Sequence, residues 1–583
     1  MIQNAQTARQ PFFLALAAAA LSLPAAWSQA AAAPATPPVA HLEKRGAATQ
    51  MIVDGQPFLV LGGELTNTAA SSPEYMKTVW PHMAKVGLNT VLAPMAWAWI
   101  EPTEGKYDFT LADNVIRDAR ANHMRIAWLW FGSWKNGLTS FAPVWVLSNQ
   151  DRFPRAQLSG GNTVEVLSTL SDANCAADAK AFAAFMRHIR EGDSPARTTI
   201  MVQLENEVGL IGDSRDRSEA AGAAFARPVP RELMDYLQAH KDTLLPETGK
   251  LWEAAGLKPS GTWEQVFGAG AGRADEVFMA WNYSRYIDKV AAAGKAEYPV
   301  PMYVNAWIVQ PEDKGPGDYP SGGPQAHMHD ILRAGGPRID MLSPDIYLPE
   351  FSELADRYSR AGNPLFIPES SATAVGAANA FYAIGQRKAI GYSPMGIDQP
   401  TRLTGFRPGT GVTVPTPTDV ASLPFPRAFK VLSQLSPLIL EGQQKSTIGA
   451  AWLNKSLQTK DLELGGYKVN VDLTRNRRNP GVFPDSGYAM AIAVGPDEFY
   501  VAGANVQITF LPLTPGPSIA GLARVEAGRF ESRRWVVTRL LAGDDCVIEY
   551  DQAKAAAAHQ SGSGLRFLGD DPAIQHVKLY RYR

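Results

Sequence analysis

Met201-Val-Gln-Leu-Glu-Asn-Glu-Val-Gly209 is the stretch from which the fold is read. Thr198 to Val202 is β-branched and apolar, as a strand buried on both faces is, and it then breaks into two acids and an amide. Polar groups crowded at the end of an apolar strand are costly to bury without partners, so such a break marks a site. Pro364-Leu-Phe-Ile-Pro-Glu369 repeats the pattern, an apolar run ending on a single carboxylate. Glu207 and Glu369 are therefore the first candidate pair.

Outward from these stretches, strands and amphipathic helices alternate. Gln56 to Leu61, closed by Gly62, Gly63 and Glu64, reads as a first strand. Ser72 to Trp80 reads as a helix, with Ser72 as cap and Pro73 at the first helical position. Leu88 to Pro94 is a second strand carrying on to Trp97, Trp99 and Glu101, and Leu111 to Asn122 is helical. Arg125 to Phe131 is a third strand, and Asp172 to Arg190 is the helix before the strand of Glu207. Beyond it, Glu276 to Ala293 is helical, Val300 to Trp307 and Ile339 to Tyr347 are strands, and Phe351 to Arg360 is helical. Glu369 ends a seventh strand, Ala372 to Arg387 is helical, and Ala389 to Asp398 is an eighth strand. Arg427 to Leu440 is a last helix that Pro437 is expected to bend or shorten.

Eight such alternations predict the α/β class, a (β/α)8 TIM barrel over residues 41–442. No Gly-x-Gly-x-x-Gly follows a first strand, which weighs against a doubly wound sheet. From residue 446 the pattern changes to short strands separated by Gly, Asn, Asp and Pro turns. Thr447 to Asn454, Leu462 to Leu473, Tyr488 to Val494, Glu498 to Val501, Val506 to Leu511, Arg534 to Leu540, Cys546 to Tyr550 and His576 to Tyr582 predict a β-sandwich over 446–583.

A net charge of −2 supplies no basic field, so no nucleic-acid partner is expected. Residues 1–30 read as a signal peptide: Arg9, a short apolar run from Phe12 to Leu23, and Ser28-Gln29-Ala30 at the cleavage positions. An Ala/Pro linker follows at 31–40, so the protein is expected to be exported, periplasmic or secreted, with no membrane insertion once the signal is removed. The oligomeric state is not legible. Cys175 and Cys546 read as isolated buried thiols, with one bridge between domains as the alternative. His327-Met-His329 does not place both rings on one helix face, and no metal or other cofactor is expected.

Two carboxyl groups suffice to cleave an acetal, one as acid and one as nucleophile or base. Glu207 fits the acid, beside Asn206, whose amide can hold a sugar 2-hydroxyl. Glu369 fits the nucleophile, with Tyr347 or Tyr303 to hydrogen-bond it. Glu205 is expected on the other side of its strand from Glu207, by alternation, as a structural acid. Gln203-Leu-Glu-Asn-Glu207-Val-Gly closely resembles the acid/base signature of glycoside hydrolase family 35, the retaining β-galactosidases. Trp97-Ala-Trp-Ile-Glu101-Pro-Thr-Glu-Gly-Lys-Tyr-Asp-Phe109 is similar to that family's Glu-Pro-x-x-Gly-x-Tyr-Asp-Phe stretch, and Ile367-Pro-Glu369 sits where its nucleophile falls. The resemblance covers roughly 50–440, and the β-rich tail with Gly132-Ser-Trp-Lys-Asn-Gly137 resembles a bacterial branch associated with xyloglucan.

The resemblance implies an exo-acting retaining β-galactosidase that takes β-galactoside oligosaccharides of plant cell walls and needs no cofactor. It implies sugar contacts from Glu101, with a structural ion pair as the alternative, and from Asn136. The family's Asn-Ala-Glu triplet is replaced here by Asn136-Gly137-Leu138, and Trp134 or Lys135 is expected to compensate. Trp307, on its strand, is a further candidate for the pocket. The rival readings are another retaining β-glycosidase of the same superfamily and a non-catalytic carbohydrate-binding barrel.

Overall fold

Short runs of β-branched, apolar and aromatic residues buried on both faces are stable only as strands enclosed by helices outside and packed side chains inside. In the computed structural model these runs form β1 (Val60–Glu64), β2 (Thr90–Ala96), β3 (Arg125–Lys135), β4 (Thr199–Asn206), β5 (Met302–Trp307), β6 (Met341–Asp345), β7 (Phe366–Ile367) and β8 (Gly391–Tyr392). The structure describes residues 38–583 apart from 194, 195, 271, 405–416, 418, 475–482 and 559. The expected signal peptide and most of the linker lie outside the described residues.

The strands run in the order β6-β5-β4-β3-β2-β1-β8-β7, and the named pairs are parallel. The ring closes where Ile346, just past β6, bridges Ser370 in parallel and its N–H donates to the Glu369 carbonyl at 3.1 Å. A helix follows each strand: α1 (Pro73–Val86), α2 (Thr110–Ala121), α3 (Asp172–Asp193), α4 (Arg273–Glu297), α5 (His329–Gly335), α6 (Phe351–Tyr358), α7 (Ala374–Phe381) and α8 (Pro424–Lys445). This is the (β/α)8 barrel read from the sequence.

Inside the ring, Val60, Leu92, Leu129, Phe131, Met201, Tyr303 and Phe366 share a core with Met51 and Val53. Those two residues belong to an antiparallel sheet (His41–Arg45, Ala48–Val53, Gln56–Phe58) packed against the barrel interior. Four of the strands end instead on polar side chains at their C-termini: Glu64, Lys135, Asn206 and Asp345.

The C-terminal part is a sandwich of two antiparallel sheets. Ile448–Asn454, Ser486–Gly495, Glu498–Ala504, Ala573–Tyr582, Ile519–Glu531 and Arg534–Leu541 form one; Thr459–Leu464, Tyr467–Leu473, Val506–Pro512 and Leu565–Phe567 form the other. Leu453, Val469, Val471, Phe499, Val501 and Ile508 fill the space between them.

Several boundaries differ from expectation. Gln56 to Leu61 is not one strand: Gln56–Phe58 pairs with Ala48–Val53, and the barrel strand begins at Val60. Trp97–Ile100 is a helical turn rather than a strand extension. Leu462 to Leu473 turns at Gly465 and Gly466, whose φ of 61° and 79° suit glycine, and becomes a hairpin. Cys546 to Tyr550 is not a strand, and Ile519–Glu531, with exposed residues breaking its alternation, was not anticipated. Pro437 does not shorten α8, which runs on to Lys445 and forgoes one backbone hydrogen bond. Cys175 and Cys546 are both free and buried. Among the described residues no helix is long and apolar enough to cross a membrane.

Candidate active site

The end of β4 is where the backbone leaves the strand conformation. Glu205 and Glu207 have φ of 59° and 45°, the left-handed region that costs a non-glycine residue about 1–2 kcal/mol. A side chain of the same strand holds the first and one of the next strand holds the second. Gln203 Nε2 donates to the Glu205 carbonyl at 3.0 Å, and the Glu207 N–H donates to Asn305 Oδ1, on β5, at 3.0 Å.

The twist decides where the acids go. Residues two apart in a regular strand share a face, so alternation alone would put Glu205 and Glu207 side by side. The left-handed turn at Glu205 separates them instead, so the expected separation holds but alternation is not its cause. Glu205 packs behind the strand, accepting from the Trp134 N–H at 2.8 Å and meeting Asp178 of α3. Glu207 faces the barrel mouth.

At the mouth, one oxygen each of Glu207, Glu369 and Asp345 lie within 4.8 Å of one another. Glu369 Oε1 accepts from Asn206 Nδ2 at 3.3 Å and from Asn305 Nδ2 at 3.4 Å, and its Oε2 accepts from the Tyr347 hydroxyl at 3.1 Å. Asn136 Nδ2 donates a short hydrogen bond to Glu207 Oε2. Lys135 Nζ donates to Asn206 Oδ1 at 2.7 Å and brings the cation of the cluster. Burial first, then the charge of Glu369, pushes the Glu207 carboxyl up to about 7. Burial first, then Glu369 and Glu207, holds Asp345 well above the usual carboxylate range. Glu207, Asp345 and Glu369 are also the group that could hold a cation among the described residues.

Asn136 reaches Glu207 because Asn136 and Gly137, with φ of 53° and 68°, turn β3 back on itself between Lys135 and Leu138. Of the other sequence-derived candidates, Asn206 and Tyr347 meet Glu369 directly. Tyr347 leaves 46% of its surface exposed while its hydroxyl end is buried on Glu369. Trp307 ends β5 half-buried, in register with Asp345.

Three candidates lie elsewhere. Glu101 is buried and braces its own loop, accepting from Trp97 Nε1 at 2.9 Å and from the Gly105 N–H at 2.7 Å, and among the described residues it forms no ion pair. Trp134 is turned away from the mouth: its ring packs on Tyr283 and Tyr286 of α4, and its Nε1 donates to the Leu167 carbonyl. The Tyr303 hydroxyl is buried inside the ring without a partner and makes no hydrogen bond to Glu369. Glu64, Asn305 and Asp345 were not singled out from the sequence, although each ends or nearly ends a barrel strand. That position was the available signal.

Residues 69–252 match the family model described as beta-galactosidase (Glyco_hydro_42), and residues 425–549 match one described as a domain of unknown function (DUF5597). The chain is thus similar to glycoside hydrolase barrels of the β-galactosidase kind, and the match is not to family 35 in particular. No curated protein matches the chain. Among solved structures, it is similar to a β-galactosidase from the psychrophilic Marinomonas ef1 (12% identity, 58% of this chain and 54% of that one, TM-score 0.39). It is also similar to a β-galactosidase from Bacillus circulans sp. alkalophilus (13%, 58% and 50%, TM-score 0.38). A family 39 glycoside hydrolase from Bacteroides cellulosilyticus WH2 is similar over more of the chain (12%, 91% and 84%, TM-score 0.40). The chain spans about half the length of the two β-galactosidases.

Proposed function

We propose that the protein is an exo-acting retaining β-galactosidase, with Glu369 as nucleophile and Glu207 as acid/base. The observation that carries this reading is the approach of the two carboxyls, with oxygens inside 4.8 Å. Retaining enzymes hold their carboxyls about 5–5.5 Å apart, whereas inverting ones leave about 6.5–9.5 Å for a water. Their environments also differ as the two roles need. Glu207, pushed up to about 7, keeps a proton in neutral solution for the leaving oxygen. Glu369 is surrounded by the donors Asn206, Asn305 and Tyr347, which suit a carboxylate.

Glu369 attacks the anomeric carbon as Glu207 protonates the departing glycosidic oxygen. Glu207, now a carboxylate, takes a proton from water, which attacks the same carbon and frees Glu369. Plant cell-wall oligosaccharides such as xyloglucan fragments are the proposed substrates, and the chain acts after export, once its leader is removed. A second reading, a retaining β-glycosidase for another sugar, is favoured by one observation. Leu138 stands where the resemblance expects a glutamate and Glu101 is engaged with its own loop, so the mouth departs from the pattern of family 35.

Hydrolysis of nitrophenyl β-galactoside, β-glucoside, β-mannoside and α-arabinoside, with the anomeric product followed by NMR, tests both readings. Galactose released first as the β-anomer supports the proposal, with kcat/KM falling as pH rises through about 7 because Glu207 loses its proton. Release of another sugar moves the assignment to the second reading. Inverted product defeats the mechanism.

A further inference from the structure

Lys135, the last residue of β3, leaves only 7% of its surface exposed. An ammonium so placed is costly unless its donors are met. Its Nζ lies 5.1 Å from the centre of the Phe131 ring, on the same strand, and donates to Asn206 Oδ1, on β4, at 2.7 Å. The backbone fixes where that side chain starts. Lys135 and Asn206 stand opposite one another in the β3–β4 register. The Lys135 N–H donates to the Leu138 carbonyl at 2.7 Å, the Leu138 N–H to the Lys135 carbonyl at 3.0 Å, and the Asn136 N–H to the Asn206 carbonyl at 3.1 Å. Two successive residues at the end of β3 thus grip two at the end of β4: Lys135 holds Asn206 as Asn136 holds Glu207.

We propose that Lys135 is a positioning residue that sets which end of the Asn206 amide faces the sugar. This rests on the reading of the mouth as a glycosidase site. A side-chain amide has an accepting end and a donating end of nearly the same shape, so packing alone does not choose between its two orientations. An ammonium has three donors and no acceptor, so it takes only the oxygen. Oδ1 is thereby turned toward β3, and Nδ2 is left to the mouth, where it donates to Glu369 Oε1 at 3.3 Å. Turned over, the amide would set its NH2 against the ammonium and its oxygen against a carboxyl oxygen, a mismatch at both ends. Asn206 therefore meets a sugar hydroxyl as a donor held in one place, which is what a group acting in the transition state needs. Lys135 acts through Asn206 and takes no part in proton transfer.

A double-mutant cycle of Lys135→Met and Asn206→Ala in the full-length protein, read in two ways, tests this. The first readout is glycoside kinetics. Lys135→Met is expected to lose about 10–100-fold in kcat with KM nearly unchanged when Asn206 is present, and less than about three-fold in the Asn206→Ala background. The same loss in both backgrounds, as a direct contact of Lys135 with the sugar would give, overturns the proposal. Lys135→Arg, which also offers donors only, is expected to keep kcat within about ten-fold. A loss equal to that of Lys135→Met, with both variants folded by circular dichroism, contradicts the assignment. The second readout is denaturant unfolding of the same four proteins. The midpoint of the double variant is expected to lie above the sum of the two single shifts, because each single change strands a buried partner and the double change does not. Additive shifts would show that Lys135 does not hold Asn206. This readout needs no turnover, so it decides the contact even if no glycoside is cleaved and the proposed function itself fails.

Discussion

Glu64, Asp345 and Glu205 are each buried against a second carboxyl: Glu64 against Glu369, Asp345 against Glu207, and Glu205 against Asp178. Such pairs are tolerable only with a proton or a cation between the partners, and the Glu205 pair lies away from the mouth, so its effect is on stability. Asp178 accepts from Trp130 Nε1 at 2.9 Å and from Ser133 Oγ at 2.7 Å, which leaves Glu205 to hold the proton. Burial, then the charge of Asp178, places the Glu205 carboxyl well above its ordinary value. Its contribution is fully present below the ordinary glutamate value of about 4.3 and is lost as pH rises toward the folded value, at up to about 1.4 kcal/mol per pH unit. Glu205→Gln keeps a donor for Asp178 and an acceptor for the Trp134 N–H without that loss. The variant is therefore expected to gain stability over wild type as pH rises above the ordinary glutamate value in denaturant titrations. Parallel curves would show that Glu205 is not the proton holder. None of these pairs is legible in the sequence, because each partner lies tens to hundreds of residues away.

At the scale of elements, the two glutamates that end strands were legible because a carboxyl closing an apolar run is costly to bury unless it serves a site. Even β7 and β8, two residues each, were marked by their apolar flanks. The local turns were not. The left-handed φ at Glu205 and Glu207 depends on Gln203 and on Asn305 of the next strand, which periodicity does not reveal. Glu101 and Trp134 matched a motif or a position but point into loops and core, because motif spacing carries no side-chain direction. The Asn136-Gly137 turn supplies the prediction at this scale. A Cβ at Gly137 would meet Ile211 Cδ1 at 3.1 Å and the Gly209 carbonyl at 3.2 Å, and φ there is 68°. Gly137→Val is expected to cost about 1–3 kcal/mol by thermal unfolding and to reduce kcat by displacing Asn136 from Glu207. Unchanged melting and activity would show that the turn does not position Asn136.

For the whole molecule, the barrel and the sandwich share packing. Ile448, Ala450, Tyr488, Met490 and Ile492 belong to the same apolar cluster as the barrel's outer layer. Phe381 of α7 stacks obliquely on Tyr488 at 4.7 Å, Gln434 of α8 accepts from the Phe530 N–H at 2.9 Å, and a Cβ at Gly385 would come within 2.7 Å of Ala450 Cβ. The expected outcome is one cooperative calorimetric transition for the full chain and loss of soluble protein on truncation after residue 445. A truncated barrel that melts near the wild-type temperature would contradict it. The repeating barrel pattern was legible from end to end, while the sandwich blurred where alternation is broken by exposed residues, as in Ile519–Glu531. All of this framework serves to bring Glu369 opposite Glu207, and one measurement tests that claim directly. The chain is incubated with 2,4-dinitrophenyl 2-deoxy-2-fluoro-β-galactoside, whose fluorine slows release of the sugar from a covalent intermediate, and is then digested and mapped by mass spectrometry. The account predicts one fluorogalactosyl group on Glu369, formed with a single burst of dinitrophenol. A label on another carboxylate, or turnover of a good substrate with no label at all, would contradict it.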